Sequence, residues 1–212
     1  LTEGGSMTDI YVYNQLTKDN NGNIKVDQNG NLGITSSNTP VKVGNLDADF
    51  NLGWTNHFNY KGIDLGIVLS ARVGGLAYSA TQGILDYYGV SETSATARDN
   101  GGIPINNGKV NAQKYYQTIG TGEGGYGRYY LYSATNVRLQ ELSLNYTLPK
   151  RWFKNVANVT LGVVGRNLWM IYCKAPFDPE LSASTSSNYY MNVDYFMQPS
   201  LRNFGFNVKV QF

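Results

Sequence analysis

Residues 50–73 read FNLGWTNHFNYKGIDLGIVLSARV, and large apolar side chains recur there at almost every second position. The positions between them are mostly small or polar. The apolar set consists of Phe50, Leu52, Trp54, Phe58, Tyr60, Ile63, Leu65, Ile67, Leu69, Ala71 and Val73. A period of two predicts β-strands with one apolar face, and the Lys61-Gly62 pair in the middle predicts a tight turn. The stretch is therefore predicted to be a hairpin of two long antiparallel strands.

The same alternation recurs in other parts of the chain. In residues 136–149 the apolar phase slips by one near Gln140-Glu141, which predicts a β-bulge. Residues 158–172 and the final segment LRNFGFNVKVQF, residues 201–212, each predict a further strand. Residues 7–16 also predict a strand, although their alternation is weaker. The chain is therefore predicted to be all-β.

The length of these strands distinguishes a membrane barrel from a soluble sheet. The strands run about 11 to 16 residues, whereas strands of soluble proteins are usually ~5–6 residues long. A tilted strand needs roughly 9–11 residues to cross a bilayer. A soluble β-sandwich would show the same alternation, but with shorter strands and turns every ~8–12 residues. Length and the small, polar second face favour an antiparallel transmembrane β-barrel.

Composition excludes several other classes of protein. Charged residues make up 15% of the chain and aromatic residues 13%, with 17 tyrosines among them. The net charge is +2 and the Lys and Arg residues are scattered, so the sequence gives no sign of nucleic-acid binding. The single cysteine, Cys173, excludes an internal disulfide. No run of ~18 apolar residues is present, so no transmembrane helix is predicted.

The connections between the predicted strands differ greatly in length. Lys61-Gly62 and the basic segment 149–158 are short, whereas the segments at about 74–130 and 173–200 are long and rich in Tyr, Asn, Gly or Ser. Outer-membrane barrels alternate short periplasmic turns with long extracellular loops. The two long segments are therefore predicted to be extracellular and the two short ones periplasmic.

Several motifs resemble those of SusC/RagA-like TonB-dependent outer-membrane transporters. They are SATNVRLQELSLNYTLPKRWF (133–153), GRNLWMIYCKAPFDPEL (165–181), VGNLDADFNLGWTNHFNYKGIDL (43–65) and the final strand, and they occur in the order of the family. Two departures are Ala48, where the family usually has Pro, and Gln198-Pro199-Ser200 before the last strand. The resemblance covers nearly the whole chain.

The resemblance implies a fold, a location and partners. The chain would form the C-terminal strands of a barrel of ~22 strands in the cell outer membrane, in contact with the lipid bilayer. The remaining strands, the plug and the segment that contacts the TonB complex would lie elsewhere in the same protein. The absence of an initiator Met likewise predicts either a removed leader or a piece of a longer protein. A SusD/RagB-like surface lipoprotein would help to import oligosaccharides or oligopeptides.

Two sets of residues are candidates for function. Phe206, Val208, Val210 and Phe212 are predicted to face lipid, and the resemblance implies that this aromatic-ended strand is the signal read by the barrel-assembly machinery. Tyrosines in the long connections offer an apolar ring and a hydroxyl to a sugar or peptide. They are Tyr87, Tyr88, Tyr115, Tyr116, Tyr189 and Tyr190. Packing within the loops, or docking against a partner protein, is an equally open role for each. Tyr130, Tyr132, Trp169 and Tyr172 are predicted to form an aromatic girdle at the lipid boundary.

No motif predicts catalysis or a cofactor. The glycines of GTGEGGYG, residues 120–127, lack the strand and helix that a dinucleotide site requires. The Asp-rich segments 19–23 and 27–31 lack the glutamate that closes an EF-hand, so hairpin turns are predicted. His57 has no partner histidine or cysteine, and Asp178 lies in a loop that Pro179 shapes. The chain is predicted not to be an enzyme; the alternative function is a self-contained small β-barrel or β-sandwich that acts as an adhesin or carbohydrate-binding module.

Overall fold

The computed structural model describes residues 3–120, 126–154, 156–181 and 192–212 and divides the chain into two compact units. The first, called the connection unit, comprises Leu1–Asp47, Leu76–Tyr132 and Glu180–Met197. The second, called the sheet unit, comprises Ala48–Gly75, Ser133–Pro179 and Gln198–Phe212.

Strands dominate the described part of the chain. In chain order they are β1 (Asp9–Leu16), β2 (Ile34–Asn45), β3 (Phe50–Tyr60), β4 (Ile63–Val73), β5 (Leu76–Ser79), β6 (Ile103–Ile105), β7 (Gly108–Val110), β8 (Leu131–Ser133), β9 (Asn136–Thr147), β10 (Asn158–Cys173), β11 (Val193–Asp194) and β12 (Asn203–Gln211). The α-helices are α1 (Ala80–Tyr87), α2 (Glu92–Asp99) and α3 (Ala112–Ile119), and 3-10 helices span Tyr126–Tyr130 and Lys150–Phe153. No helix in the described residues is long and apolar enough to cross a membrane.

The sheet unit is built on one five-stranded antiparallel sheet. Its spatial order is β12-β10-β9-β4-β3, so strands that follow one another within this unit are neighbours. The predicted hairpin is present: β3 pairs with β4 from Phe50↔Val73 to Tyr60↔Ile63. Lys61 and Gly62 have φ angles of 46° and 86°, and two consecutive positive φ values are the mark of a type I′ hairpin turn. This geometry explains why Gly follows Lys at the turn.

Register shifts interrupt the pairing once between β4 and β9 and twice between β9 and β10. Val68 pairs with Glu141 and Leu69 with Leu139, so Gln140 is the extra residue and the predicted bulge is confirmed. The neighbouring strand, β10, carries irregularities that its sequence pattern does not predict. Its pairing with β9 shifts between Arg166 and Trp169 and again between Met170 and Tyr172. The sequence does not reveal the first shift, because Trp169 remains on the same face as Val163 after it.

The two faces of the sheet differ sharply in chemistry. Directly opposite residues share a face, and one row across all five strands reads Phe58, Leu65, Leu144, Val163 and Phe206. The exposed large apolar side chains of this apolar face are Phe50, Leu52, Trp54, Phe58, Tyr60, Ile63, Leu142, Leu144, Tyr146, Leu161, Val163, Trp169, Phe204, Phe206, Val208 and Val210. The sheet unit therefore presents a wide apolar surface that no described residue covers.

The other face, called the polar face, carries small and polar side chains. One row reads Asn59, Asp64, Asn145, Gly162 and Asn207. A Cβ on Gly162 would lie 2.0 Å from the Asn145 amide oxygen and 2.7 Å from the Asn207 amide nitrogen. A larger residue at this position would therefore require the two flanking amides to move aside.

The long connections leave the sheet at one end and the short ones at the other. The starts of β3, β9 and β12 and the ends of β4 and β10 lie at one end, and the Lys61-Gly62 turn and residues 148–157 join strands at the opposite end. The predicted separation of long connections at one end of the sheet from short connections at the other is thus present. Which end faces the cell exterior remains a prediction.

The connection unit has a core of its own. The predicted loop at about 74–130 contains α1, α2, α3 and several short strands, so it is not an irregular loop. The buried core of this unit is Leu16, Leu32, Ala97, Ile105, Val110, Ala112, Tyr116, Ile119 and Tyr130. The predicted girdle position of Tyr130 was wrong: its side chain packs in this core and is only 3% exposed.

Candidate functional site

Two of the predicted tyrosine pairs lie at or next to helices of the connection unit, and the two rings of each pair are in contact. Tyr87 and Tyr88 meet edge to face with ring centroids 5.1 Å apart, and Tyr115 and Tyr116 do so at 5.3 Å. Tyr88 is exposed and Tyr116 is buried. Tyr189 and Tyr190, the third predicted pair, lie outside the described residues.

Tyr87, Tyr88 and Tyr116 converge on one cavity of about 400 Å³, called the first cavity. Its walls come from the end of α1, from α2 and from α3. The side chains that line it are Asp86, Tyr87, Tyr88, Ser94, Arg98, Ala112, Gln113, Tyr116 and Gln117. The Arg98 guanidinium donates a 2.7 Å hydrogen bond to the Gly89 carbonyl oxygen.

The buried carboxylate of Asp86 organises the floor of the first cavity. It accepts hydrogen bonds from Gln82 Nε2 at 2.9 Å, Thr93 Oγ1 at 2.9 Å, the Tyr130 hydroxyl at 3.0 Å and the Ser91 hydroxyl. Burial, reinforced by the Asp86 charge, raises the pKa of Tyr130 far above its ordinary range. Tyr130 is consequently a permanent donor to Asp86.

Tyr115 lines a different cavity, called the second cavity, of about 520 Å³. It lies among β1, the start of β2, α3 and the 3-10 helix at Tyr126–Tyr130. Its lining residues are Gln15, Leu16, Thr17, Lys18, Ile24, Thr35, Tyr115, Arg128 and Tyr129. The pattern of the sequence did not single out this group, because its members come from five separate segments. Only the Tyr115-Tyr116 pair pointed to it.

Two turns with the sequence Asp-x-Asn-Gly-Asn, residues 19–23 and 27–31, lie between β1 and β2 near the second cavity. The Asp19 carboxylate accepts from the backbone amides of Asn21 and Asn23 at 2.8 and 2.9 Å. Asp27 does the same with Asn29 and Asn31 at 2.8 and 2.7 Å. Backbone hydrogen bonds from the turns hold the pKa of both carboxyls below the usual range. The predicted hairpin turns are confirmed by the antiparallel bridges Lys18↔Ile24 and Val26↔Leu32.

The terminal strand places its predicted residues on the apolar face. Phe206, Val208 and Val210 pair with Val163, Leu161 and Val159 of β10. Phe206 is 82% exposed and Phe212, just beyond the strand, is 98% exposed. Their role in barrel assembly remains a prediction. Of the predicted aromatic girdle, Trp169 and Tyr172 are exposed on β10.

A buried ion pair lies in the sheet unit where the sequence predicts only a shaped turn. Arg138 Nη2 donates to Asp178 Oδ1 at 2.6 Å and Nη1 donates to Ser200 Oγ at 3.3 Å, while Ser200 also donates to Asp178. Arg138 belongs to β9, and the other two residues lie between β10 and β12. Sequence reasoning missed Arg138 because its partners are 40 and 62 positions away.

The remaining titratable candidates form no cluster for a metal. In the described residues no three His, Cys, Asp or Glu side chains lie close enough to hold an ion. His57 Nδ1 is 4.0 Å from Asp64 Oδ1 on the polar face. The Cys173 thiol donates to the carbonyl oxygens of Ala175 and Phe177 at 3.4 and 3.7 Å, so it acts as a local hydrogen-bond donor.

Solved structures identify the class of fold. The chain aligns with the structure of the RagAB peptide transporter with a TM-score of 0.57 and 17% identity, covering 95% of this chain and 22% of that one. It aligns with the RagAB peptide importer in the 'closed-closed' state with a TM-score of 0.55 and 18% identity, covering 96% and 22%. The fold is that of part of a TonB-dependent transporter barrel, as predicted. The number of strands in the whole barrel remains a prediction.

A relative by sequence agrees with this class. The chain is 27% identical over 201 residues to TonB-dependent receptor P3 of Formosa agariphila, covering 92% of this chain and 19% of that protein. No family model matches the sequence. The resemblance to SusC/RagA-like TonB-dependent transporters is confirmed, and the chain spans about a fifth of the length of the proteins it matches.

Proposed function

We propose that these residues form the closing strands of the barrel of a TonB-dependent importer in the cell outer membrane. The importer takes up oligosaccharides or oligopeptides together with a SusD/RagB-like surface lipoprotein. The rest of the barrel, the plug and the TonB-contacting segment belong to other parts of the same protein, and energy reaches the plug from the TonB complex.

The observation that carries the proposal is the two-faced sheet. Its apolar face exposes rows of large side chains, which fits burial in lipid. Its polar face carries small, hydrogen-bonding side chains, which fits a water-filled passage. β3 and β12 are the edges of the sheet in the described residues, and backbone groups in lipid must be paired. Further strands of the same barrel satisfy both edges.

The connection unit supplies the recognition surface of this importer. Its helices bring Tyr87, Tyr88 and Tyr116 to one cavity and Tyr115 to another. Tyrosine rings pack against sugar rings or peptide side chains while their hydroxyls form hydrogen bonds. Substrate held between this unit and the lipoprotein would enter the barrel when the plug moves. The name of the RagAB neighbours supports peptides as one of the two substrate classes.

The alternative of a self-contained adhesin or binding module predicts a sheet that closes on itself within this chain. The five-stranded sheet of the described residues is instead open, with β3 and β12 at opposite edges. No observation on the described residues favours the alternative.

The first test is the intact mass of the native polypeptide extracted from outer membranes in detergent. A parent several times larger than 23.5 kDa is expected, because barrel, plug and TonB-contacting segment share one chain. A stable species of this size alone would overturn the proposal.

Uptake tests the activity itself. Cells that lack the full-length gene are expected to lose uptake of a labelled peptide or glycan, and a TonB-deficient strain is expected to lose it equally. Uptake that continues unchanged in either strain would contradict an energised importer. Restoration by the complementing gene is the control.

A further inference from the structure

We propose that the second cavity binds a carboxylate group of the imported oligomer. The proposal rests on the proposed function only for the origin of the ligand. The carboxylate can belong to an acidic sugar or to an acidic peptide, because both present the same planar anion to the cavity.

The charges of the second cavity are all of one sign. Lys18 and Arg128 line it, and no Asp or Glu does. Neither cation takes part in an ion pair among the described residues. The neighbouring acid Asp19 is directed to the backbone amides of its own turn. A concave site lined by cations alone attracts an anionic ligand.

The guanidinium of Arg128 is held in place before any ligand arrives. Its Nη1 donates to Gln15 Oε1 at 3.1 Å, and its central carbon lies 6.0 Å from the centroid of the Tyr129 ring. A guanidinium carries five N–H donors, and this contact uses one of them. The remaining donors suit the two-point hydrogen bonding that arginine makes with carboxylates.

The neutral walls suit the body of a sugar or peptide. Tyr115 and Tyr129 contribute rings, and the hydroxyls of Thr17 and Thr35 are hydrogen-bonded to each other at 2.6 Å. Tyr129 is oriented by the Leu16 amide, which donates to its hydroxyl at 3.4 Å. The volume of about 520 Å³ falls within the ~300–1,000 Å³ of small-ligand pockets.

The first cavity is the internal comparison, and it lacks this charge pattern. The Asp86 carboxylate lies in its lining, and the single cation, Arg98, already donates to the Gly89 carbonyl oxygen. An anion is therefore expected to bind more tightly in the second cavity than in the first.

The test is calorimetric binding to the purified full-length transporter with two matched pairs of probes. One pair is trigalacturonate and the neutral galactose trimer of the same linkage; the other is an Asp-containing hexapeptide and its Asn counterpart. At least one anionic probe is expected to bind about tenfold more tightly than its neutral counterpart, a difference of about 1.4 kcal/mol. The Lys18→Gln/Arg128→Gln double variant is expected to lose that preference while affinity for the neutral probe is unchanged.

Lys25→Gln is the matched control, because Lys25 is exposed, directly follows the lining residue Ile24 in the sequence and does not itself line the cavity. The proposal is overturned by weak or absent binding of both anionic probes, by equal binding of charged and neutral probes, or by an equal loss in Lys25→Gln. The anionic probe that binds identifies the sugar or the peptide as the source. Charge-selective binding without TonB-dependent uptake would overturn import and leave the site standing, whereas uptake with charge-blind binding would do the reverse.

Discussion

At the scale of single residues, Arg138 and Asp178 show how a long connection is attached to the sheet. Their side chains are 5% and 8% exposed, and Ser200 bonds to both. A buried pair of this kind contributes little relative to a packed apolar pair, yet loss of one partner leaves an uncompensated charge. The pair therefore holds the chain just after β10, at Asp178, and just before β12, at Ser200, next to β9. It does so chiefly because breaking it would leave a buried charge without a partner.

Removal of one partner is consequently expected to destabilise the protein more than replacement of both. Arg138→Ala should lower the free energy of unfolding by about 3–5 kcal/mol, as measured by denaturant unfolding of the full-length protein in detergent. The double variant Arg138→Met/Asp178→Leu should recover most of this loss, because no charge is left buried. A double variant as unstable as the single one would contradict this account.

Asp86 is the acceptor for four side chains of the connection unit. Asp86→Ala leaves those donors without their acceptor, at a cost of about 1–3 kcal/mol for each buried group that stays unpaired. Amide hydrogen exchange in α1 and α2 is expected to accelerate strongly. Tyr130→Phe removes only one donor and should accelerate it far less.

Tyr88→Phe is the matched control, because Tyr88 is exposed and contributes no bond to Asp86. Unchanged exchange in Asp86→Ala would show that the carboxylate does not organise these helices.

At the scale of elements, the sheet strands were predictable and the helices were not. The hairpin of β3 and β4 was predictable because a period of two extends along both of its strands. The helices α1, α2 and α3 have eight residues each, too few for a clear period of 3.6. Their local signal is the cap: Ser79, Ser91 and Asn111 accept from amides of the first turn. A cap alone does not predict a helix, because a helix this short is stable only when tertiary packing supports it.

The alternation of β4 allows a paired test of which face meets lipid. Ile67 lies opposite Leu142 on the apolar face, whereas Val68 lies opposite Glu141 on the polar face. Ile67→Arg is expected to cost about 2–4 kcal/mol near mid-membrane, whereas Val68→Arg should be much milder. Folded yield in outer membranes and unfolding in detergent are the measurements. Equal effects at the two positions would indicate a soluble sheet with two buried faces.

At the scale of the whole molecule, the exposed end of β12 has a proposed role in the assembly of the barrel. Phe212 is 98% exposed in this chain. Phe212→Ser is expected to lower the amount of heat-resistant, folded barrel in outer membranes several-fold, because the proposed assembly signal loses its aromatic end. The adjacent Gln211→Ser, on the polar face, is the control. Equal yields for both variants would remove Phe212 from the assembly signal.

The sequence by itself determined the sheet: its strand faces, its hairpin turn, the bulge at Gln140 and the family resemblance. Strand faces, turn and bulge are local features, because the pleat of a strand and the geometry of a turn depend on residues that are neighbours in the sequence. Only the tertiary structure decided the core position of Tyr130, the Arg138–Asp178 pair and the two cavities. Those features join side chains from segments far apart in the chain, and no local period or spacing records which distant residues will meet.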